Sequence, residues 1–269
     1  MAQKKPEVSS PSQEAEVREF LLCQYIGNMG VLIRSRDHKI LIDALFTSSH
    51  PNCRNPENET IERIIKGEAP FDGVDLMLVT HKDQDHFNAA LTVRYLETCS
   101  EPILIVPSDA VKEMRKTAKD WSTMEQRIVS VDLQIGEKAE REAAHIPVTI
   151  IRTTHGTTSW PMNLMFLFEV NGWRIFHEGD ASGRPDDYRG LGLETTPIDL
   201  AIVQYSWPIH PHLPFRGFLL DFLKPDHIAL AHVNVKEENV AESKIDPVRR
   251  KYKDIFVLLP GMPIKTFRK

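Results

Sequence analysis

The chain has 269 residues, of which 41% are hydrophobic, enough to bury a large core as one large domain or two small ones. Its net charge of −5 is scattered along the chain with no basic run, which gives no reason to expect a nucleic-acid or anionic-membrane partner, and no apolar run approaches bilayer length. Three cysteines, Cys23, Cys53 and Cys99, with no CxxC pair argue against a disulfide framework or a cysteine zinc site and for reduced thiols.

The opening MAQKKPEVSSPSQEAE is polar, rich in Ser, Pro and Glu, and has no apolar signal region. Residues 1–17 are expected to be a disordered tail, and 18–269 one domain. A cytoplasmic protein is expected, exported only if a signal segment was removed upstream.

Past the tail, EFLLCQYIGNMGVLIRS and HKILIDALF read as antiparallel strands broken at Gly-Asn and Arg-Asp. SSHPNCRNPENET is a loop and IERIIKGE a short helix. VDLMLVT is a continuous apolar run of strand length, so both its faces should be buried. NAALTVRYLETC has helical spacing, PILIVP is another buried strand, and SDAVKEMRKTAKD is a helix opened by a Ser/Asp cap. The strands RIVSVDL, VTIIRTT, LMFLFEV and WRIFHEG follow. The last third holds the strand IDLAIVQY, the apolar-periodic FRGFLLDFLK, and the strands HIALAHV and IFVLLP. VDLMLVTH and IDLAIVQY occupy similar places in two halves. The reading is an α/β (α+β) fold: a four-layer αββα sandwich of two mixed β-sheets flanked by helices.

Five apolar strands run into a His or Asp. THKDQDHF brings His81, Asp83, Asp85 and His86; IIRTTHG ends in His155; RIFHEGDAS carries His177 and Asp180; IALAHVN carries His232; ILIDALF adds Asp43. Strand ends of layered sheets are where a rigid frame presents functional groups, and imidazole with carboxylate binds zinc, iron or manganese. Taken singly, each has an ordinary reading. A lone strand-end histidine is usually structural or solvated, Asp83 and Asp85 precede a helix and read as caps, and HEGDAS reads as a glycine turn. The ordered combination carries the weight.

THKDQDHF resembles the HxHxDH metal-binding signature of the metallo-β-lactamase-fold hydrolases, and His155, the HEGD turn and His232 follow in that family's order. The resemblance spans nearly the whole ordered chain. It implies that His81, Asp83 and His155 hold one metal, that Asp85, His86 and His232 hold a second, and that Asp180 bridges both. It implies a metal-dependent hydrolase with a dinuclear site at the strand ends, in which metal-bound hydroxide attacks an ester, lactone or phosphodiester of a small substrate. Asp85 and Asp180 are the catalytic candidates among the ligands. Two divalent ions carry +4, which the three aspartates and one hydroxide neutralise.

One departure matters. Asp83 stands where the signature has histidine, and a hard carboxylate shifts ligand preference from zinc toward iron or manganese. The cofactor expectation is therefore one or two divalent ions per chain, zinc, with iron or manganese as the alternatives. Asp43, His177 and Thr80 are candidates to orient the ligand imidazoles. The proline-stiffened loop QYSWPIHPHLPF is expected at the mouth of the site, with His210 or His212 binding substrate or moving a proton to the leaving group. Trp160 in HGTTSWPMN is a second candidate wall. Against these stand a rigid surface loop and a packed aromatic. The turn position that many true β-lactamases fill with Cys holds Asp180, which disfavours β-lactams. Two rivals remain: an iron-dependent oxidoreductase of the same fold, and a non-catalytic metal-binding or scaffold protein with a degenerate site. The composition leaves oligomeric state open.

Overall fold

A computed structural model describes residues 20–156, 158–210, 214–252 and 254–269, with backbone only at 158–160, 185–186 and 214–215. The tail expected at 1–17 lies outside the described residues.

Strands β1 (Phe20–Gly27), β2 (Gly30–Ser35) and β3 (His38–Ile42) form the antiparallel meander expected from their Gly-Asn and Arg-Asp breaks. The chain then crosses through helix α1 (Asn58–Ile65) to β4 (Leu76–Leu78), through α2 (Ala89–Thr98) to β5 (Ile103–Pro107), and through α3 (Ser108–Thr117) to β6 (Ile128–Val131). These crossovers make β3 to β6 parallel. The second half repeats the plan. Strands β7 (Lys138–Ala143), β8 (Ile146–His155), β9 (Thr158–Val170) and β10 (Trp173–His177) are antiparallel, and β11 (Leu200–Gln204), β12 (His227–Ala231) and β13 (Ile255–Val257) continue in parallel. The last strand, β14 (Lys265–Arg268), returns to pair with β1. Two seven-stranded mixed sheets result, β14-β1-β2-β3-β4-β5-β6 and β13-β12-β11-β10-β9-β8-β7.

Alternation along the strands explains the four layers. Ile40, Ile42, Leu76, Leu78 and Ile105 point between the sheets, where they meet Leu164, Phe166, Phe168, Leu200 and Ile202. Their neighbours Leu41, Met77, Val79, Leu104 and Val106 point outward under the first helices. On the far side Met165, Ala201, Val203, Ile228 and Leu230 do the same under the second set. A strand buried on both faces must be apolar at every position, which is why VDLMLVT and IDLAIVQY are continuous runs. Each large aliphatic side chain so buried contributes about 1.5–3 kcal/mol.

One expectation is corrected and two features go beyond the sequence reading. Helix α3 begins directly after Pro107 with no side-chain cap bond, so the Ser/Asp cap is absent. FRGFLLDFLK is not one regular α-helix: it is a helical turn, Pro214–Gly217, that widens into a π-helix over Phe218–Leu223. Strands β7 and β14 were not foreseen. Both are edge strands bearing charges (KAEREA and KTFR), the composition that protects an open sheet edge and hides the apolar alternation.

Candidate metal centre

The segment after β4 closes a tight turn, with the backbone N–H groups of His86 and Phe87 both donating to the Asp83 carbonyl at 2.9 Å. Helix α2 is capped by Asn88, whose Oδ1 accepts from the Leu91 N–H at 3.1 Å. The cap is therefore not Asp83 or Asp85, whose carboxylates join the histidines. Other elements bring the rest. The end of β8 bridges to Ala181, and Gly156 N–H donates to the Asp180 carbonyl at 3.2 Å, which sets His155 beside the HEGD turn. Leu164 N–H donates to the Thr80 carbonyl at 2.8 Å and ties the two sheets together at this end.

The seven residues converge as two groups whose ligand atoms lie within 4.8 Å of one another: His81, Asp83 and His155, and Asp85, His86, Asp180 and His232. Asp180 faces both. Its Oδ2 lies 3.6 Å from His155 Nε2, 4.0 Å from His81 Nε2 and 3.3 Å from His232 Nε2, while its Oδ1 lies 3.4 Å from His86 Nε2. His232 Nε2 is 3.4 Å from Asp85 Oδ2, and His155 Nε2 is 3.6 Å from Asp83 Oδ2. These spacings are long for charge-assisted hydrogen bonds and near the roughly 3.3 Å edge of a tetrahedron with metal–ligand bonds of about 2.0–2.1 Å.

The imidazoles are oriented to offer lone pairs. The Asp43 carboxylate is buried and accepts from Thr80 N–H at 2.8 Å and Thr80 Oγ1–H at 2.6 Å. The same Oδ2 accepts from His86 Nδ1–H at 2.8 Å. Because Thr80 Oγ1 spends its proton on Asp43, it accepts from His81 Nδ1–H at 2.9 Å. In their neutral form both rings thereby carry the proton on Nδ1 and turn the Nε2 lone pair inward, the arrangement that metal-ligating histidines require. His81 Nε2 is fully buried with no hydrogen-bond partner, a costly state that a cation removes. The donor set fits a divalent metal.

His177 does a different job from the one expected. Its Nε2–H donates to the Met29 carbonyl at 3.1 Å and its Nδ1 accepts from Gly179 N–H at 3.2 Å, so it braces the turn before Asp180 and touches no ligand ring. The turn itself demands glycine. Gly179 has φ +61, and a Cβ there would stand 2.6 Å from Asn163 Oδ1 and 2.7 Å from Thr80 Cβ.

The electrostatics show how strongly the site calls for positive charge. Burial pushes His86 down, yet Asp180 and Asp43 hold it well above the usual imidazole range. His232 is pushed up to about 9 against its burial by Asp180 and Asp85. Asp180 is held well below the carboxylate range, also against burial, by His232 and His86. His81 goes the other way, to about 3, through burial and the neighbouring His86. Burial raises Asp83, with Asp85 adding and His155 opposing.

Several site residues carried no sequence signal. Asn28 Nδ2 donates to the Asp85 carbonyl at 3.1 Å and sits 3.3 Å from both Asp85 Oδ2 and His86 Nε2, while its carbonyl accepts from His232 N–H at 3.1 Å. Asn163 Oδ1 accepts from Asp180 N–H at 2.9 Å, and Gln204 Nε2 donates to Asp180 Oδ1 at 3.2 Å. Asn28, Asp43 and His232 all have left-handed backbones, with φ of 45, 44 and 57. Such conformations cost about 1–3 kcal/mol each and gather where the surroundings over-determine them. A polar residue in a turn gives no hint of these distant partners.

An open cleft of about 760 Å³ exposes Asp83, Asp85, His155, Asp180 and His232, and its far wall is the 48–53 loop. Among the described residues of the expected mouth loop, 204–210, none lines this cleft. Tyr205 and Trp207 are buried in the outer core of the second sheet, and His210 is exposed and does not line this cleft. Apolar burial, not proximity to a strand end, decided where Tyr205 and Trp207 went. His212 and the Trp160 side chain lie outside the described residues.

No curated protein matches the chain by sequence. Among solved structures, Igni18, a metallo hydrolase from Ignicoccus hospitalis, aligns with TM-score 0.58 and 16% identity, covering 92% of this chain and 98% of that one. Human tRNase Z, short form, aligns with TM-score 0.59 and 12% identity over 91% and 98%. CmlA, a diiron β-hydroxylase from Streptomyces venezuelae, aligns with TM-score 0.55 and 16% identity over 93% of this chain but 54% of its own. At these identities the likeness is one of fold, and the fold is shared by a metallo hydrolase and a diiron hydroxylase. The family described as the beta-lactamase superfamily domain matches residues 38–233, more than half of the chain, and with the two-sheet sandwich and its strand-end cluster this chain belongs to the metallo-β-lactamase-fold superfamily.

Proposed function

We propose that the chain is a metal-dependent hydrolase acting on an ester, lactone or phosphodiester of a small molecule. The observation that carries the reading is the convergence of His81, Asp83, His155, Asp85, His86 and His232 on Asp180 at ligand-to-ligand spacings of 3.3–4.0 Å. His81, Asp83 and His155 would hold one ion and Asp85, His86 and His232 another, with Asp180 between them. When bound, divalent ions of this kind lower the pKa of water to near 7 and polarise the oxygen of the scissile group.

The chain's own residues supply the preorganisation. Asp43 fixes the His86 ring directly and the His81 ring through Thr80. Asn163 and Gln204 hold the backbone and carboxylate of Asp180. Asn28 joins Asp85 to the start of the His232 segment. With both rings and the central carboxylate held, little reorganisation is left for the reaction. The cleft admits substrate from the side of Asp83, Asp85 and His155, while His81 and His86 stay buried beneath it.

The oxygen donor Asp83 favours a second reading, an iron-dependent oxidoreductase, because it moves the first group toward iron or manganese. Metal analysis of the purified protein and an Asp180→Asn variant separate the two. Stoichiometric metal, with hydrolysis of an ester and phosphodiester panel that the variant loses, is the expected outcome. Iron with oxygen consumption and no hydrolysis supports the second reading. Full folding without metal refutes both. The variant is expected to bind metal at least about a hundredfold more weakly, beyond the 10–100-fold typical of residues that only support ligands.

A further inference from the structure

Two of the candidate ligands are held from outside the cleft by one carboxylate. The pairing of β8 with β9 slips between Thr153 and His155, so Thr154, the residue before His155, has no partner in the ladder. Its backbone turns instead to the segment that follows Asp180. Thr154 N–H donates to Asp187 Oδ2 at 3.0 Å, and the Thr154 carbonyl accepts from Ser182 N–H at 3.0 Å. Irregular pairing at a strand end is a common way of re-aiming a side chain beside a site.

Asp187 is buried in the 3-10 turn Pro185–Tyr188 and does not line the cleft. Its Oδ2 also accepts from the Thr154 hydroxyl at 2.5 Å. With that proton spent, Thr154 Oγ1 can only accept from Ser182 Oγ–H, whose proton also faces Asp187 Oδ2 at 3.2 Å. One oxygen thus meets donors from the residue before His155 and from the residue two past Asp180. A carboxylate suits that place because it only accepts. The turn that carries it is seated by Tyr188, whose phenol oxygen accepts from Gly183 N–H at 3.0 Å and whose ring stacks on Phe218 with centroids 4.0 Å apart.

The clamp bears unequally on the two groups. His155 belongs to the first group alone, whereas Asp180 has further holds from Asn163 and Gln204. Resting on the metal-dependent reading above, we propose that Asp187 is a positioning residue: through Thr154 it sets His155 against Asp180, and so governs how tightly His81, Asp83 and His155 hold their ion. Asp187 itself is not among the ligand candidates.

The test loads zinc onto the purified full chain and removes it by chelator competition. His155→Ala and His232→Ala mark which release step belongs to which group. Asp187→Ala is expected to weaken the first ion at least about tenfold, within the range of about 10–100-fold typical of residues that support ligands, and the second by less than about twofold. Thr154→Val keeps the backbone bond and removes the hydroxyl. It should weaken the same ion, add little in the Asp187→Ala background, and be reversed by Thr154→Ser. If Asp187→Ala does not fold, the threonine pair decides. A carboxylate that only held the fold would weaken both ions together, and that result overturns the proposal. So does an unchanged first ion in folded Asp187→Ala or in Thr154→Val, a loss that Thr154→Ser does not reverse, or a wild type with no ion at the first group. Hydrolysis of the ester and phosphodiester panel alongside any of these leaves the hydrolase reading standing. Selective loss of the first ion, with no hydrolysis by the wild type, upholds the clamp and refutes the hydrolase reading. A folded chain that takes up no zinc overturns both.

Discussion

The two halves of the molecule are built to one plan and used in two ways. Each sheet runs four antiparallel strands into parallel ones, so β4 and β11 occupy equivalent places, with β3 and β10 beside them. The turn after β4 holds His81, Asp83, Asp85 and His86. The segment after β11 holds Gln204, Tyr205 and Trp207, of which only Gln204 reaches the site, through Asp180 Oδ1. The rest fills the outer core, where Trp207 meets Phe218 edge-on with centroids 5.9 Å apart. Equivalent strand ends therefore do not have equivalent duties. One end presents polar groups that have no local partners, and the other carries aromatics whose burial pulls the chain away from the cleft.

That contrast can be broken or sharpened by substitution. Trp207→Ala should give the largest effect: about 3–5 kcal/mol of lost stability in denaturant unfolding, from the cavity it leaves, with metal stoichiometry unchanged. If it instead strips metal while leaving stability intact, the two strand ends share the site after all. Asp43→Asn comes next. Asparagine tolerates the left-handed backbone at this position, where φ is 44, so the fold should survive. Losing the acceptor that aligns His86, and His81 through Thr80, should weaken metal binding about 10–100-fold in chelator competition. Unchanged affinity would mean that packing alone orients those rings. His210→Ala, on an exposed residue that does not line the cleft, should leave turnover as it is; a clear loss in kcat would put His210 at the site.

The sequence showed much of this through local regularities. Continuous apolar runs marked the doubly buried strands, and polar residues directly after them marked the strand ends. HxHxDH spacing within one turn is itself local, so Asp83 could be recognised as a departure before any fold was known. Other residues were illegible for identifiable reasons. The charged edge strands β7 and β14 lack the apolar alternation by which a strand is read. Asn28 and Asn163 look like ordinary turn and strand polar residues, because their partners lie 57 and 17 positions away.

By itself, the sequence determined the class of fold, the order of the candidate ligands and the chemistry that imidazole and carboxylate make available. These follow from period, spacing and residue type, which are properties of neighbours along the chain. Only the tertiary structure decided that Asp180 stands between the two groups, that Asp43 and Thr80 turn the ring lone pairs inward, and that the 48–53 loop, not Tyr205 to His210, forms a wall of the cleft. Those outcomes depend on which buried polar groups find one another across distant segments and on which aromatics the core accepts. That competition is settled when the two sheets close on each other, and no stretch of the chain encodes it alone.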